Sequence, residues 1–429
     1  MNKLSGKLKK FLRILGPGLI TGAADDDPSG IATYTQTGAQ FGYGQLWTVL
    51  FVYPLMTAVQ EACARIGAVT GKGIAAVVKE NYNKKILYGV VSLIVVANTI
   101  NIGANIGAMA ASIQLVIPIH FSFWTVTFTA VILILEIFTS YKVYSRILKW
   151  LSLSLISYLL TLFIVKAPWP EILRATFVPH VELTPAFLFI ITGVLGTTIS
   201  PYMFFWEASE EVEEEKQKRL FKLGKLKISA KFIRSLRIDN MVGMAASQIT
   251  AWAIIVVAAT VLNGNGVTNV TTAADAAKAL EPLVSTFPNA GFLAKSLFAF
   301  GVVGLGLLSV PILSGSASYA VSEALNFREG LNLKLKKAHG FYGVITVATV
   351  LGLLINYVGI DPVQALIFAA VINGVCAVPL LFLILRISGS KKVMGEYKNG
   401  RLSNILLWAT FIVMTVSAVA MFFTILSGK

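Results

Sequence analysis

The sequence predicts an all-α polytopic membrane protein, on three observations. Of its 429 residues 56% are hydrophobic and only 13% charged, with a mean hydropathy of +0.74. Soluble domains carry about 25% charged residues, so this chain lacks the charge to coat the two or three soluble domains its length would allow. Second, apolar runs of about 20 residues, the length a bilayer-crossing helix needs, recur along the whole chain. They do not alternate as the roughly ten-residue strands of a membrane barrel would. Third, the basic residues segregate by side, as described below.

Eleven runs qualify as spans: 13–38, 45–66, 86–114, 121–141, 147–166, 186–207, 240–262, 291–322, 339–358, 364–386 and 403–427. The first leads directly into Asp25-Asp26-Asp27-Pro28, without the short apolar core and cleavage site of a signal peptide. The net charge of +15, from 36 Lys and Arg against 21 Asp and Glu, would alone fit a nucleic-acid binder. Its distribution says otherwise. With the basic N-terminal tail inside, 31 of the 36 basic residues fall inside, and only Lys166, Arg174, Lys278, Lys295 and Lys429 fall outside. That is the positive-inside pattern. It predicts an integral protein of a bacterial inner membrane, N-terminus cytoplasmic and C-terminus extracytoplasmic. The partners it implies are the lipid bilayer, with no nucleic acid and no obligate protein.

The basic loops read as topogenic charge facing anionic inner-leaflet lipid. Residues 208–239, with an acidic run from Glu210 to Glu215 followed by Lys216 to Arg237, read as an amphipathic, salt-bridged helix lying on the membrane. The outer loops 167–185 and 263–290 are polar and have room for short helices. Cys63 and Cys376 lie in separate apolar runs and offer no disulfide framework or thiolate site, and His120, His180 and His339 are scattered. No nucleophile–base set or phosphate loop points to an enzyme.

Acidic residues inside a span cost about 2.5–3.5 kcal/mol each on insertion scales and mark function by default. The first span holds Asp25, Asp26 and Asp27 in succession, then Pro28-Ser29-Gly30. Proline removes a backbone donor and glycine lets the chain unwind, so the helix breaks here. Freed carbonyls beside carboxylates make a hard-oxygen site where the break faces protein or water. Span 6 carries a second break, Gly193 to Tyr202, with Thr197, Ser200 and Pro201 in it and Trp206-Glu207 after it. Spans 1 and 6 hold the same position in two successive blocks of five. Paired interrupted spans at matching positions point to a transporter site at an inverted-repeat interface. The architecture expected is therefore a LeuT-type 5+5 inverted repeat, with residues 1–166 as the first repeat, 186–386 as the second, and 403–427 as an added eleventh span.

Other intramembrane polar residues are less specific. Glu61 and Arg65, four apart in span 2, read as a local ion pair. Glu136 and Glu323 have no evident sequence partner. Asn98, Asn101 and Asn105 fall at helical spacing in span 3, either as interhelical bridges or as pathway lining, and Asn373-Gly374 in span 10 offers an amide to the site.

Gly16-Pro17-Gly18 followed by Asp27-Pro28-Ser29-Gly30 resembles the first span of the NRAMP divalent-metal transporters. Ala64 to Gly71 is similar to the end of their span 2. Pro379 to Arg386 with Met394-Gly395-Glu396-Tyr397-Lys398-Asn399 is similar to their span 10 exit. The resemblance covers essentially the whole chain. It implies a metal held by an Asp and an Asn of span 1 and a Met of span 6, with backbone carbonyls. Here the Asp position is Asp27, the Asn position is Gly30, and the family's Met-Pro-His reads Ser200-Pro201-Tyr202.

Thioethers favour soft transition metals, while carboxylate, hydroxyl, carbonyl and water favour Mg, Ca and Mn. The site expected here therefore holds Asp25, Asp26, Asp27, Gly30, Thr197, Ser200, Tyr202 and Asn373, with Asn101, Asn105 and Glu207 along the pathway. Pro28, Ser29, Gly30 and Pro201 form the breaks. Gly30 in place of Asn leaves room for water, which suits a partly hydrated Mg²⁺. The family's span 3 acids are replaced by amides between Asn101 and Gly107, and its span 6 histidine by Tyr202, so no proton relay is expected. This resembles the NRAMP-related magnesium transporters and implies import of Mg²⁺, with Mn²⁺ as a second ion, by alternating access and with no cofactor. The competing readings are a proton-coupled Mn²⁺ or Fe²⁺ transporter, a carrier of a small organic cation or amino acid in the same fold, and a non-transporting membrane sensor.

Overall fold

The computed structural model describes residues 21–22, 25–139, 156–217, 221–222, 225–226 and 230–427. Helix follows helix, apart from an antiparallel pair of two-residue strands, β1 (Phe221–Lys222) and β2 (Lys225–Leu226), with Phe221 opposite Leu226. The first inverted-repeat region contains α1 (Pro28–Phe41), α2 (Trp47–Thr70), α3 (Ile74–Asn81), α4 (Lys84–Gln114), α5 (Phe121–Phe138) and α6 (Ile156–Ile164). After α7 (Trp169–Phe177) come α8 (Pro185–Thr198), α9 (Pro201–Gln217) and α10 (Ala230–Val261). The short α11 (Ala273–Lys278) and α12 (Glu281–Val284) precede α13 (Ala290–Leu325), α14 (His339–Ile355), α15 (Pro362–Gly389), α16 (Lys391–Met394) and α17 (Arg401–Ser427).

Among the described residues, eight stretches are long and apolar enough to cross a bilayer. They are α2, α4, α5, α8 with α9 (Pro185–Lys216), α10, α13, α15 and α17, which match expected spans 2, 3, 4, 6, 7, 8, 10 and 11. The expected ninth span is α14, apolar but 17 residues long. Span 1 is represented by α1 and the helical residues before it, and span 5 by α6. Residues 13–20, 23–24 and 147–155 lie outside the described residues. So do the N-terminal basic tail, Gly16-Pro17-Gly18 and the basic loop after span 4. The polar outer loops do contain short helices, α7 in one and α11 and α12 in the other.

A recurring device starts these helices. Asp27-Pro28, Thr184-Pro185 and Asp361-Pro362 each place a side-chain acceptor at the N-cap and proline at the first helical position. Proline there loses an N–H that would have no helical partner anyway. Close helix approach then depends on small residues, as expected where lipid gives no hydrophobic drive between helices. A Cβ at Gly196 of α8 would lie 2.1 Å from the Ala370 carbonyl oxygen and 2.3 Å from the Gly374 amide of α15. One at Gly38 of α1 would lie 2.4 Å from the Ile255 carbonyl oxygen of α10. Outward faces are apolar, as on α17, where Ile405, Ile412, Val416, Val419 and Phe423 are all exposed.

The Glu61–Arg65 pair forms as expected, and reaches further. Arg65 is buried; its Nε and Nη2 meet the two Glu61 oxygens at 3.0 and 3.1 Å. It also donates to the Tyr397 carbonyl and, at 2.7 Å, to Asn399 Oδ1, so the Met-Gly-Glu loop is fastened to α2. Arg237 of α10 joins at 2.8 Å from Glu61. The two acids without sequence partners acquire them: Ser314 Oγ donates to Glu136 at 2.5 Å, and the Ala76 amide at the start of α3 donates to Glu323 at 2.9 Å.

One expectation is overturned. Residues 208–239 are not a helix lying on the membrane surface. Residues 208–217 continue α9, with Glu211, Glu213 and Glu215 buried, and the chain then turns through β1 and β2 into α10. Within the acidic run, Glu213 is served by partners distant in sequence. Glu213 Oε1 accepts from the Tyr319 hydroxyl and from the Leu331 amide at 2.8 Å, and Asn332 donates to its Oε2 at 2.5 Å.

Candidate functional site

Both breaks form where expected. In span 1, Asp26 is a bend and Asp27 is the N-cap of α1, with φ −69° and ψ 171°. In span 6, α8 ends on Ile199 at φ −115° and ψ 63°, and α9 starts again at Pro201. Two half-helix N-termini, with their free N–H groups and positive dipole ends, thus begin at the breaks.

The broken ends abut. Ser29 Oγ lies 3.4 Å from Thr197 Oγ1, and the Tyr34 hydroxyl 2.9 Å from Thr198 Oγ1. Asp27 Oδ1 accepts from Ser29 Oγ at 2.5 Å and from the Gly30 amide at 2.9 Å, while its Oδ2 faces Asn105 Nδ2 at 3.4 Å. Asn105 is itself held by Asn101, Nδ2 donating to the Asn101 carbonyl at 2.8 Å and to its Oδ1 at 2.9 Å. Two of the three span 3 asparagines therefore sit at the break. Asn98 does not; it bridges to the Leu313 carbonyl at 2.8 Å.

Asp25 and Asp26 turn towards α10. Ser247 Oγ lies 2.5 Å from Asp25 Oδ2 and 3.2 Å from Asp26 Oδ1, and among the described residues Asp25 Oδ1 has no hydrogen-bond partner. A hydroxyl carries one proton, so these oxygens outnumber the donors that reach them. Asp25, Asp26 and Asp27 are 0%, 2% and 1% exposed, which shuts the carboxylates off from solvent. A fourth carboxylate, Glu207 of α9, accepts from Thr21 Oγ1 and, at 3.2 Å, from Asn240 Nδ2 of α10, linking both broken spans to α10.

The remaining expected residues are less directly engaged. Ser200 Oγ donates back to the carbonyls of Gly196 at 2.8 Å and Thr197 at 2.6 Å. Tyr202 is buried, beside Ser200 and in the field of Asp27 and Asp25, with Ser316 on its carbonyl at 2.8 Å. Asn373 is fully buried beside Gly374, and among the described residues neither of its amide atoms has a partner, Asp27 included. The room expected above Gly30 is not there. A Cβ at that position would meet Thr197 Oγ1 and the Tyr34 ring at 3.3 Å, because the glycine is used for close approach of span 6. Among the described residues no three His, Cys, Asp or Glu side chains have metal-holding geometry. An ion here would draw on carboxylates together with amides, hydroxyls and carbonyls.

Ser247, Thr198, Tyr34 and Thr21 were not singled out from the sequence. The stripe Asn240, Gly243, Ser247 and Thr250 in span 7 carries a signal, since three- and four-residue spacing puts these small and polar residues on one helix face.

Two interrupted helices with their broken ends in contact, around buried carboxylates, define a membrane transporter fold of the LeuT type. The Nramp family model, described as natural resistance-associated macrophage protein-like, matches residues 18–424, and the chain belongs to that family. It is 27% identical to a protein named divalent metal cation transporter MntH from Caldanaerobacter subterraneus subsp. tengcongensis, over 98% of this chain and 95% of that one. It is 26% identical to the MntH of Ralstonia nicotianae, over 98% and 92%. Among solved structures it is similar to the Eremococcus coleocola manganese transporter in complex with an aromatic bis-isothiourea substituted compound, with TM-score 0.74, 18% identity, and 96% and 86% of the two chains covered. It is also similar to MHP1, a nucleobase-cation-symport-1 family transporter, with TM-score 0.57, 13% identity, and coverage of 96% and 90%. These relatives are transporters, not enzymes.

Proposed function

We propose that the protein carries divalent metal cations across the membrane, with Mg²⁺ its preferred ion and no coupled proton, and that the ion binds at Asp25, Asp26 and Asp27. The carrying observation is the scarcity of donors: among the described residues Asp25 Oδ1 has none, and Asp25 and Asp26 share the Ser247 hydroxyl, with Thr250 also beside Asp26. A cation fills that deficit. The MntH names of the sequence relatives support a divalent metal as cargo.

Mg²⁺ follows from donor chemistry. Every group hydrogen-bonded to the three aspartates is a hydroxyl or an amide, and Ser200 stands where the family's thioether is expected. Such oxygen-rich sets suit hard cations. The closed space above Gly30 means that a partly hydrated ion enters only when span 6 moves away from Gly30. The absence of coupling follows from Asn101 and Asn105, amides that take no part in proton relay at neutral pH, and from Tyr202 in place of histidine. A divalent ion gains about 4.6 kcal/mol on entering down a 100 mV inside-negative potential, enough to drive uptake without a co-ion. The charge pattern supports residence in a bacterial inner membrane with the N-terminus inside.

A second reading, proton-coupled Mn²⁺ transport, is favoured by the manganese transporter among the similar structures. Reconstitution in liposomes, with Mg²⁺, Mn²⁺ and Ca²⁺ entry and internal pH followed together, separates the two. Mg²⁺ entry at constant internal pH supports the first reading. Mn²⁺ entry with matching acidification and no Mg²⁺ flux selects the second.

A further inference from the structure

Away from the breaks, a groove of about 470 Å³ opens on the outer face between α2, α10 and α17. Its walls are apolar: Tyr53 and Pro54 of α2, Met241 of α10, and Leu402 and Leu406 of α17. Met241 and Leu402 are 49% and 70% exposed, so both keep apolar surface open to the groove's surroundings. One end is cationic. Arg401, the first residue of α17, is exposed there, and Arg237 lines the same end with its side chain 54% exposed and its Nε on Glu61. Among the described residues Glu61 is the one acid lining the groove, and it is already shared between Arg65 and Arg237. Two guanidiniums with that one carboxylate give the described lining a net positive charge.

This combination specifies its occupant. The groove runs along spanning helices, so its apolar length faces acyl chains. Arg401 opens a spanning helix and Arg237 precedes the apolar part of another, which puts both guanidiniums at headgroup depth. Basic pockets between membrane helices bind anionic headgroups, and a guanidinium matches a phosphate with paired donors. We propose that the groove holds one anionic glycerophospholipid, its phosphate between Arg401 and Arg237 and an acyl chain along Tyr53, Met241 and Leu406. Bound there, the lipid joins α17 to the Glu61–Arg65 junction that fastens the loop around Asn399, and so braces span 10 and span 11 against span 2.

The test uses the full chain in nanodiscs of phosphatidylcholine, with and without phosphatidylglycerol, reading lipid retained in native mass spectrometry and the unfolding midpoint. Wild type should retain phosphatidylglycerol over phosphatidylcholine and unfold at a higher temperature with it. Arg401→Gln should cut that preference about fivefold, the effect of one interfacial basic residue. Met241→Trp, which fills the groove without changing charge, should lose retention and the midpoint gain together, and it decides the matter if Arg401→Gln does not fold. Lys336→Gln, a basic loop residue elsewhere, should change neither. The proposal fails if the preference survives in Met241→Trp, if Lys336→Gln reduces it as much as Arg401→Gln, or if inorganic phosphate added to phosphatidylcholine discs reproduces the midpoint gain.

Discussion

The Ser247 hydroxyl donates to Asp25 Oδ2 at 2.5 Å, tying span 7 to the break in span 1. Ser247 Oγ also stands 3.2 Å from Asp26 Oδ1, so one small side chain holds two adjacent carboxyl groups in place. Hydrogen bonds to charged groups are worth about 1.5–3 kcal/mol. Ser247→Ala should therefore weaken apparent Mg²⁺ affinity about tenfold or more, while Ser247→Thr, which keeps the hydroxyl, stays near wild type. The concentration dependence of flux in liposomes reads this, and an unchanged half-saturation in the alanine variant would remove Ser247 from the site.

Asp27 has two roles that substitution separates. As the N-cap of α1 it accepts the Gly30 amide at 2.9 Å, a contribution of about 1 kcal/mol. Asparagine caps as well as aspartate but carries no charge. Asp27→Asn should keep the wild-type unfolding midpoint and abolish Mg²⁺ flux, whereas Asp27→Ala should lose flux and also unfold at a lower temperature. Retained flux in both variants would move the ion away from Asp27.

At span 6, Ser200 uses its hydroxyl on two carbonyls of its own helix, and Ser200→Met puts a thioether at the break. A thioether favours softer ions, so the Mn²⁺-to-Mg²⁺ flux ratio should rise. Adding Gly30→Asn should reduce total flux, because its Cβ has only 3.3 Å to Thr197 Oγ1 and Tyr34. Competition flux assays with both ions check the two statements.

Outside the spans, Glu329 is pushed up to about 9 by burial, then by the charge of Glu323, against the opposing pull of Lys216. The fold disfavours its charged form, so the associated stability is fully present below the ordinary value of 4.5 and is lost as pH rises towards about 9. Unfolding midpoints of the wild type should fall across that window relative to Glu329→Gln, which has no such proton to lose. Parallel curves for the two proteins would show that Glu329 titrates normally.

The two breaks were legible because their causes are local. Asp27-Pro28-Ser29-Gly30 and Ser200-Pro201 carry backbone instructions within a few residues, and three acids in an apolar run stand out wherever they fold. Asn105 was singled out from its helical spacing in span 3, but Ser247 and Thr198 were not. They reach the break only through the register of the helices packed there. The acidic run of α9 misled for the same reason. Its composition matches a surface helix, and the groups that satisfy Glu213, from Tyr319, Leu331 and Asn332, lie more than a hundred residues on.

The sequence by itself determined the membrane class and the places where spans 1 and 6 break, since both follow from composition and backbone chemistry along the chain. Tertiary structure alone decided how the breaks meet: Gly30 is close contact and not open space, Arg65 fastens the loop at Tyr397 and Asn399 to α2, and among the described residues no donor reaches Asp25 Oδ1. These depend on distances between segments far apart in sequence, set when glycines let helices approach and buried polar groups find the partners that desolvation requires.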